Sequence, residues 1–157
     1  MTEAAVTSVD SGPRRVSRRV LVNAPAAEIF ALVADPHRHA ELDGSGTVRD
    51  VPVKGPHALK AGDRFTVGMK QYGLPYSITS VVTGLEADRL VEWQHPLGHR
   101  WRWELAETTP GVTEVTETFD YSGSRSPRVM ELLGFPGKNA HGITATLGAL
   151  VTRYATA

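Results

Sequence analysis

The chain has 157 residues, the length of one ordinary domain, and 41% of them are hydrophobic, enough to build a sizeable core. Seventeen basic residues balance seventeen acidic ones, which argues against a dedicated nucleic-acid binder. With no cysteine, disulfides and thiolate chemistry are excluded and a cytoplasmic location is the simplest expectation; no run approaches the roughly 18 apolar residues of a membrane span.

Residues 1–13 lack the charged-then-apolar order of a signal peptide and read as a disordered N-terminal tail, with residues 14–157 expected to form a single domain. Val16 to Asn23 alternates in the manner of a strand, expected near a sheet edge. Asn23 is placed to cap the next segment, with Pro25 early in the first turn, and Ile29, Phe30, Leu32 and Val33 give Ala24–Ala34 the spacing of a short amphipathic helix. Asp35-Pro36 breaks that helix, His37–Leu42 can form another helical turn, and residues 43–46 (Asp-Gly-Ser-Gly) read as a loop.

From Thr47 onward the pattern changes to strands separated by tight turns. The predicted strands are Thr47–Pro52, Asp63–Tyr72, Tyr76–Ala87, Leu90–His95, His99–Thr108 and Val112–Ser122. The intervening Gly, Pro and Asp residues suit short reversals, and short connections favour antiparallel neighbours. Ser126–Leu133 reads as a short helix, Gly134-Phe-Pro-Gly137 as an interruption, and Asn139–Ala155 as a final helix whose buried stripe is Ile143, Leu147, Leu150, Val151 and Tyr154. At about 1.5 Å per residue this helix spans roughly 25 Å, enough to cross a curved sheet.

The order of elements, the opening Val-Leu-Val-Asn-Ala-Pro-Ala-Ala-Glu-Ile-Phe-Ala-Leu-Val-Ala-Asp-Pro (20–36), the Leu-Asp-Gly-Ser-Gly loop (42–46) and the Gly-Asp-Arg-Phe strand entry (62–65) together resemble the START-like superfamily, also called SRPBCC or helix-grip. That superfamily includes Bet v-type pollen allergens, polyketide cyclases/dehydrases, lipid-transfer domains and Hsp90-activator-like proteins. The resemblance covers about Arg14 to Ala157. It implies an α+β helix-grip fold: a curved antiparallel sheet of about seven strands wrapped around a long C-terminal helix, with two short N-terminal helices and an apolar tunnel beneath the long helix. The family has no shared catalytic motif, so the resemblance assigns no catalytic residue.

The residues themselves point to a container. All three tryptophans, Trp93, Trp101 and Trp103, fall within eleven residues, and alternation directs Trp101, Trp103 and Leu105 inward while Arg100, Arg102 and Glu104 face solvent. In the next strand Val115, Glu117, Phe119 and Tyr121 share a face, so Glu117 is the candidate cavity carboxylate. Enclosure would raise its pKa and suit it to acid/base work or to accepting a ligand hydroxyl; a place near the rim, or a pairing with a local arginine or tyrosine, is the alternative. Tyr121 lies about 13 Å further along the strand, too far for a dyad with Glu117. The expected ligand-binding residues are Phe65, Met69, Tyr76, Trp101, Trp103, Glu117, Phe119, Ile143, Leu147 and Val151, with Val67, Ile78 and Val115 filling out the wall.

Other constellations carry less. His37 and His39 diverge on a helix, and His95 and His99 bracket a turn that reads as solvated; neither pair has zinc-site spacing, so no metal is predicted. His141 is a candidate for one tunnel opening or for a plain helix-surface residue. Gly44-Ser-Gly46 lacks the lysine and spacing of a phosphate loop, and no Gly-x-Ser-x-Gly elbow is present. No cofactor is expected. Three functions follow as expectations: binding of a small hydrophobic ligand (lipid-, polyketide- or aromatic-type) in an internal cavity; a polyketide cyclase/dehydrase-like enzyme using the cavity carboxylate; or an interaction protein like the Hsp90-activator relatives. The expected protein is a monomer or homodimer of bacterial origin, without nucleic-acid partners or stable membrane insertion.

Overall fold

Period-two alternation of apolar and polar side chains sends one face of each strand inward, and short turns between strands return the chain antiparallel. In the computed structural model, which describes residues 5–42 and 53–155, these strands form one seven-stranded antiparallel sheet in the order β1-β2-β7-β6-β5-β4-β3. The strands are β1 (Thr7–Val9), β2 (Arg15–Val22), β3 (Arg64–Gln71), β4 (Leu74–Glu86), β5 (Leu90–Gln94), β6 (Arg100–Thr109) and β7 (Val112–Asp120). The helices are α1 (Ala26–Val33), α2 (His39–Leu42), α3 (Pro127–Leu132) and α4 (Phe135–Arg153), with a 3-10 turn at Pro36–Arg38 before α2. The helix-grip α+β fold is thus present. The predicted strand Thr47–Pro52 and the loop at 43–46 lie outside the described residues.

Three local expectations are corrected. Part of the predicted tail, Thr7–Val9, is a strand paired antiparallel with β2, so β2 has a neighbour on each side, β1 and β7. Asn23 does not cap α1: Pro25 is the cap residue, and the first helical N–H, that of Ala26, donates instead to Glu107 Oε1 at 2.7 Å. A carboxylate from a distant strand thereby satisfies an orphan donor at the positive end of the helix. Gly134-Phe-Pro-Gly137 begins the last helix instead of interrupting it. Gly134 takes the left-handed conformation at φ 76°, and Pro136 occupies the first turn, where a missing N–H costs little.

The main core lies between β2, β7, α1 and the C-terminal half of α4, where Val20, Val22, Ile29, Leu32, Val115, Leu147 and Leu150 bury their side chains. Each such aliphatic group stabilises the fold by about 1.5–3 kcal/mol. A smaller cluster of Leu59, Phe65, Val67 and Val82 lies under β3 and β4. In β4 the register shifts between Val82 and Gly84, a bulge of the kind that bends a strand and helps the sheet to curl. The outer face of the central strands is charged: Arg100 and Arg102 reach Glu92 at 3.6 and 3.9 Å, and Arg102 reaches Glu104 at 3.0 Å. These exposed pairs contribute little to stability; their chief effect is to keep that face wet. No described helix is long and apolar enough to cross a membrane.

Candidate functional site

The concave face of the sheet and the N-terminal half of α4 enclose a cavity of about 620 Å³. Alternation supplies its walls. β3 contributes Phe65, Val67 and Met69; β4 contributes Tyr76, Ile78 and Ser80; β5 contributes Trp93; β6 contributes Trp101 and Trp103; β7 contributes Glu117 and Phe119. α4 closes the cavity with Phe135, Lys138, Asn139, His141, Gly142, Ile143 and Thr146, and α2 adds His39 and Leu42. Aromatic contacts line it in two groups: Trp101 and Phe119 have ring centroids 5.0 Å apart, and Phe65 meets Trp93 edge-on at 5.7 Å.

Eight of the ten residues proposed from sequence, namely Phe65, Met69, Tyr76, Trp101, Trp103, Glu117, Phe119 and Ile143, line this cavity. Leu147 and Val151 do not. Leu147 is fully buried in the main core and Val151 packs against the same cluster. Helical spacing shows that a face is buried but not against what; here the stripe divides, the first half of α4 roofing the cavity and the second half sealing the core. Val115 belongs to that core as well. Tyr121 also turns away from the cavity, and its hydroxyl donates to Glu131 Oε2 at 3.5 Å.

Glu117 is 7% exposed and lines the cavity, between Arg18 on β2 and Trp103 on β6 in the sheet register. The residue is thus buried, on the inward face that alternation gave it. The same cavity is lined by an imidazole from α2: His39 is buried, stacks on Trp93 at 5.0 Å, meets Phe65 edge-on, and donates from Nε2 to Val33 O at 2.8 Å.

The turn between His95 and His99, expected to be solvated, instead brings both to the cavity, and His99 is buried. Burial, reinforced by the neighbouring His95, pushes the His99 pKa down to about 3, and burial lowers that of His95, so both rings are neutral at physiological pH. The signal was available. His99 has the parity of Trp101 and Trp103, and His95 that of Val91 and Trp93, so the inward face runs on past the strand ends. Lys138 is at the opening, where its ammonium donates to Tyr72 Oη at 2.9 Å and ties the β3–β4 turn to α4.

Where the sequence suggested His37 with His39, the fold separates them and brings His37 to a third histidine. Asp35, His37 and His57 hold ligand-capable atoms within 4.8 Å of one another. Existing bonds account for the trio: His57 Nδ1 meets Asp35 Oδ2 at 3.1 Å, His37 Nε2 donates to Gly55 O at 2.7 Å, and the two rings stack at 3.9 Å.

The family described as "Polyketide cyclase / dehydrase and lipid transport" matches residues 13–155. The chain belongs to that family. Its architecture is the SRPBCC, helix-grip one expected from the opening motif. An uncharacterized protein of Mycobacterium tuberculosis, Rv0088, is 56% identical over 154 residues, which span 96% of this chain and 68% of that protein. Among solved structures, protein Ms6760 of Mycobacterium smegmatis superposes with a TM-score of 0.68 at 19% identity, covering 96% of this chain and 99% of that one. The Polyketide_cyc-like protein Cgl2372 of Corynebacterium glutamicum gives 0.59 at 19% identity, covering 90% and 91%. At such identities the structural likeness establishes the shared fold alone.

Proposed function

We propose that this SRPBCC protein binds one small, largely hydrophobic molecule of lipid, polyketide or aromatic type in the cavity between the sheet and α4. The observation that carries this reading is the cavity itself. Its volume of about 620 Å³ lies in the range of small-molecule sites, and its lining is mostly apolar and aromatic, interrupted by polar groups that include Glu117, Lys138 and four histidines. An interaction protein without a ligand would be expected to fill such a space with side chains. The open cavity therefore favours ligand binding over the reading by analogy with Hsp90 activators.

A second reading, polyketide cyclase/dehydrase-like catalysis, draws support from Glu117. A carboxylate enclosed among tryptophans can take or give a proton where water does not compete. The neutral His99 is a poor general base, because burial disfavours the imidazolium that proton abstraction would form. Catalysis, if the cavity supports it, would centre on Glu117.

Native mass spectrometry of the protein purified from its own host, or after exposure to that host's small-molecule extract, tests the binding reading. The expected result is a retained mass at one per chain, lost in Ile78→Trp, which fills the cavity from β4. A folded protein that retains nothing from the extract, with Ile78→Trp indistinguishable from it, would overturn the reading. Turnover of the retained molecule that vanishes in Glu117→Gln, with binding intact, would move the assignment to the enzyme.

A further inference from the structure

One histidine of the cavity, His99, holds a buried ring nitrogen with no hydrogen-bond partner among the described residues, and His95 stacks against it. His95 and His99 flank the β5–β6 turn, where His95 N–H donates to His99 O at 2.8 Å and Gly98 N–H to His95 O at 2.9 Å. Gly98 has φ 98°, and a Cβ there would come within 2.7 Å of Gly123 O, so the turn is pressed against the chain that follows β7 and keeps one shape. The two rings stack with centroids 4.1 Å apart and planes 21° from parallel, and His99 meets the Phe119 ring at 5.2 Å. His95 Nδ1 accepts the Leu97 N–H at 3.0 Å, which requires the neutral tautomer with its proton on Nε2. His99 is 7% exposed, and its Nδ1 is buried with no hydrogen-bond partner among the described residues. Buried polar nitrogens are normally satisfied, and one left bare costs free energy until something supplies the missing bond.

We propose that the stacked His95–His99 pair is the polar recognition subsite of the cavity, taking a neutral oxygen function, a carbonyl or hydroxyl, at one end of an elongated ligand. The proposal rests on the cavity-binding reading above and adds to it the chemistry and position of the ligand's polar group. The tautomer of His95 presents an N–H donor, which matches an acceptor oxygen. A carboxylate or phosphate fits badly: it would be desolvated opposite two uncharged rings, and burial together with their mutual proximity opposes protonating either. The lysine of the cavity lining, Lys138, already donates to Tyr72 Oη and sits over the Tyr72 and Phe135 rings. Length follows from register. Arg100 pairs with Asp120 and Trp103 with Glu117, so His99 lies about four residues from Glu117 along β7, roughly 13 Å. The ligand's apolar body then runs over Trp101 and Phe119 toward Glu117.

Three probes of one shape separate the possibilities: 2-acetylnaphthalene, with a neutral acceptor; 2-isopropylnaphthalene, with none; and 2-naphthoate, an anion. Calorimetry measures affinity, and nitrogen-15 NMR of the imidazoles reports tautomer and hydrogen bonding directly in the unaltered protein. The expected result is that 2-acetylnaphthalene binds about three- to tenfold more tightly than the hydrocarbon, as one neutral hydrogen bond allows. It should shift the ring nitrogens of the pair and lose that advantage in His95→Phe or His99→Phe. Binding of the ketone and the hydrocarbon with equal affinity and unmoved imidazole signals would overturn the subsite while leaving the cavity reading standing. A preference for 2-naphthoate would overturn it in favour of Lys138, and binding of none of the three would overturn both readings.

Discussion

At the scale of single residues, the site turns on where charge is permitted. His99 is an imidazole whose pKa falls from 6.5 to about 3 because it is desolvated and faces His95. Between those values the unfolded chain carries a proton that the folded chain refuses, so stability rises with pH across that window and is lost as pH falls below about 6.5. One such group contributes a slope of up to about 1.4 kcal/mol per pH unit. Chemical denaturation between pH 6.5 and 4.5 should therefore show a steep decline in the native protein and a visibly shallower one in His99→Phe; parallel slopes would count against a neutral buried His99. Trp103 tests a different property. It is fully buried in the core, so Trp103→Ala should cost about 3–5 kcal/mol of stability and would confuse any binding assay. Trp101, only partly buried, is the better position at which to read ligand contact by fluorescence.

At the scale of elements, local pattern decides direction and distant partners decide ends. Alternation in β3, β6 and β7 was enough to place Phe65, Trp101, Trp103, Glu117 and Phe119 on one concave surface, since a strand has only two faces and the charged set marks the outer one. The inner strands remain legible past their ends too, although the Pro-Leu-Gly turn between His95 and His99 suggests solvent and so masks their inward parity. Helix ends are another matter. The cap of α1 comes from Glu107, 81 positions away, which no local spacing reveals. Glu107→Ala should destabilise the protein by about 1 kcal/mol, as loss of a capping oxygen and of a charge near the dipole requires, with little effect on ligand binding; thermal melts of the two proteins check this. At the start of α4, Gly134→Ala meets open space but is held at a positive φ. A loss of about 1 kcal/mol is expected from conformation alone, measurable by the same melts.

At the scale of the whole molecule, α4 serves two purposes. Its second half completes the main core through Leu147 and Leu150, while its first half, from Phe135 to Thr146, roofs a space that the sheet alone would leave open. A helical stripe in the sequence could not divide those roles, because periodicity marks a buried face without showing what lies opposite it. The arrangement also predicts that the cavity can be filled without loss of the fold, since the core that stabilises the protein lies largely at the other end of the helix. The most direct measurement is a titration with the neutral probe N-phenyl-1-naphthylamine, read by energy transfer from Trp93, Trp101 and Trp103, in the native protein and in Ile78→Trp and Met69→Trp. The account predicts saturable binding at one probe per chain, quenching of the tryptophans in the native protein, and loss of binding in both filled variants with melting behaviour retained. Unsaturable or absent binding, or undiminished binding in both variants, would contradict a ligand cavity between the sheet and α4.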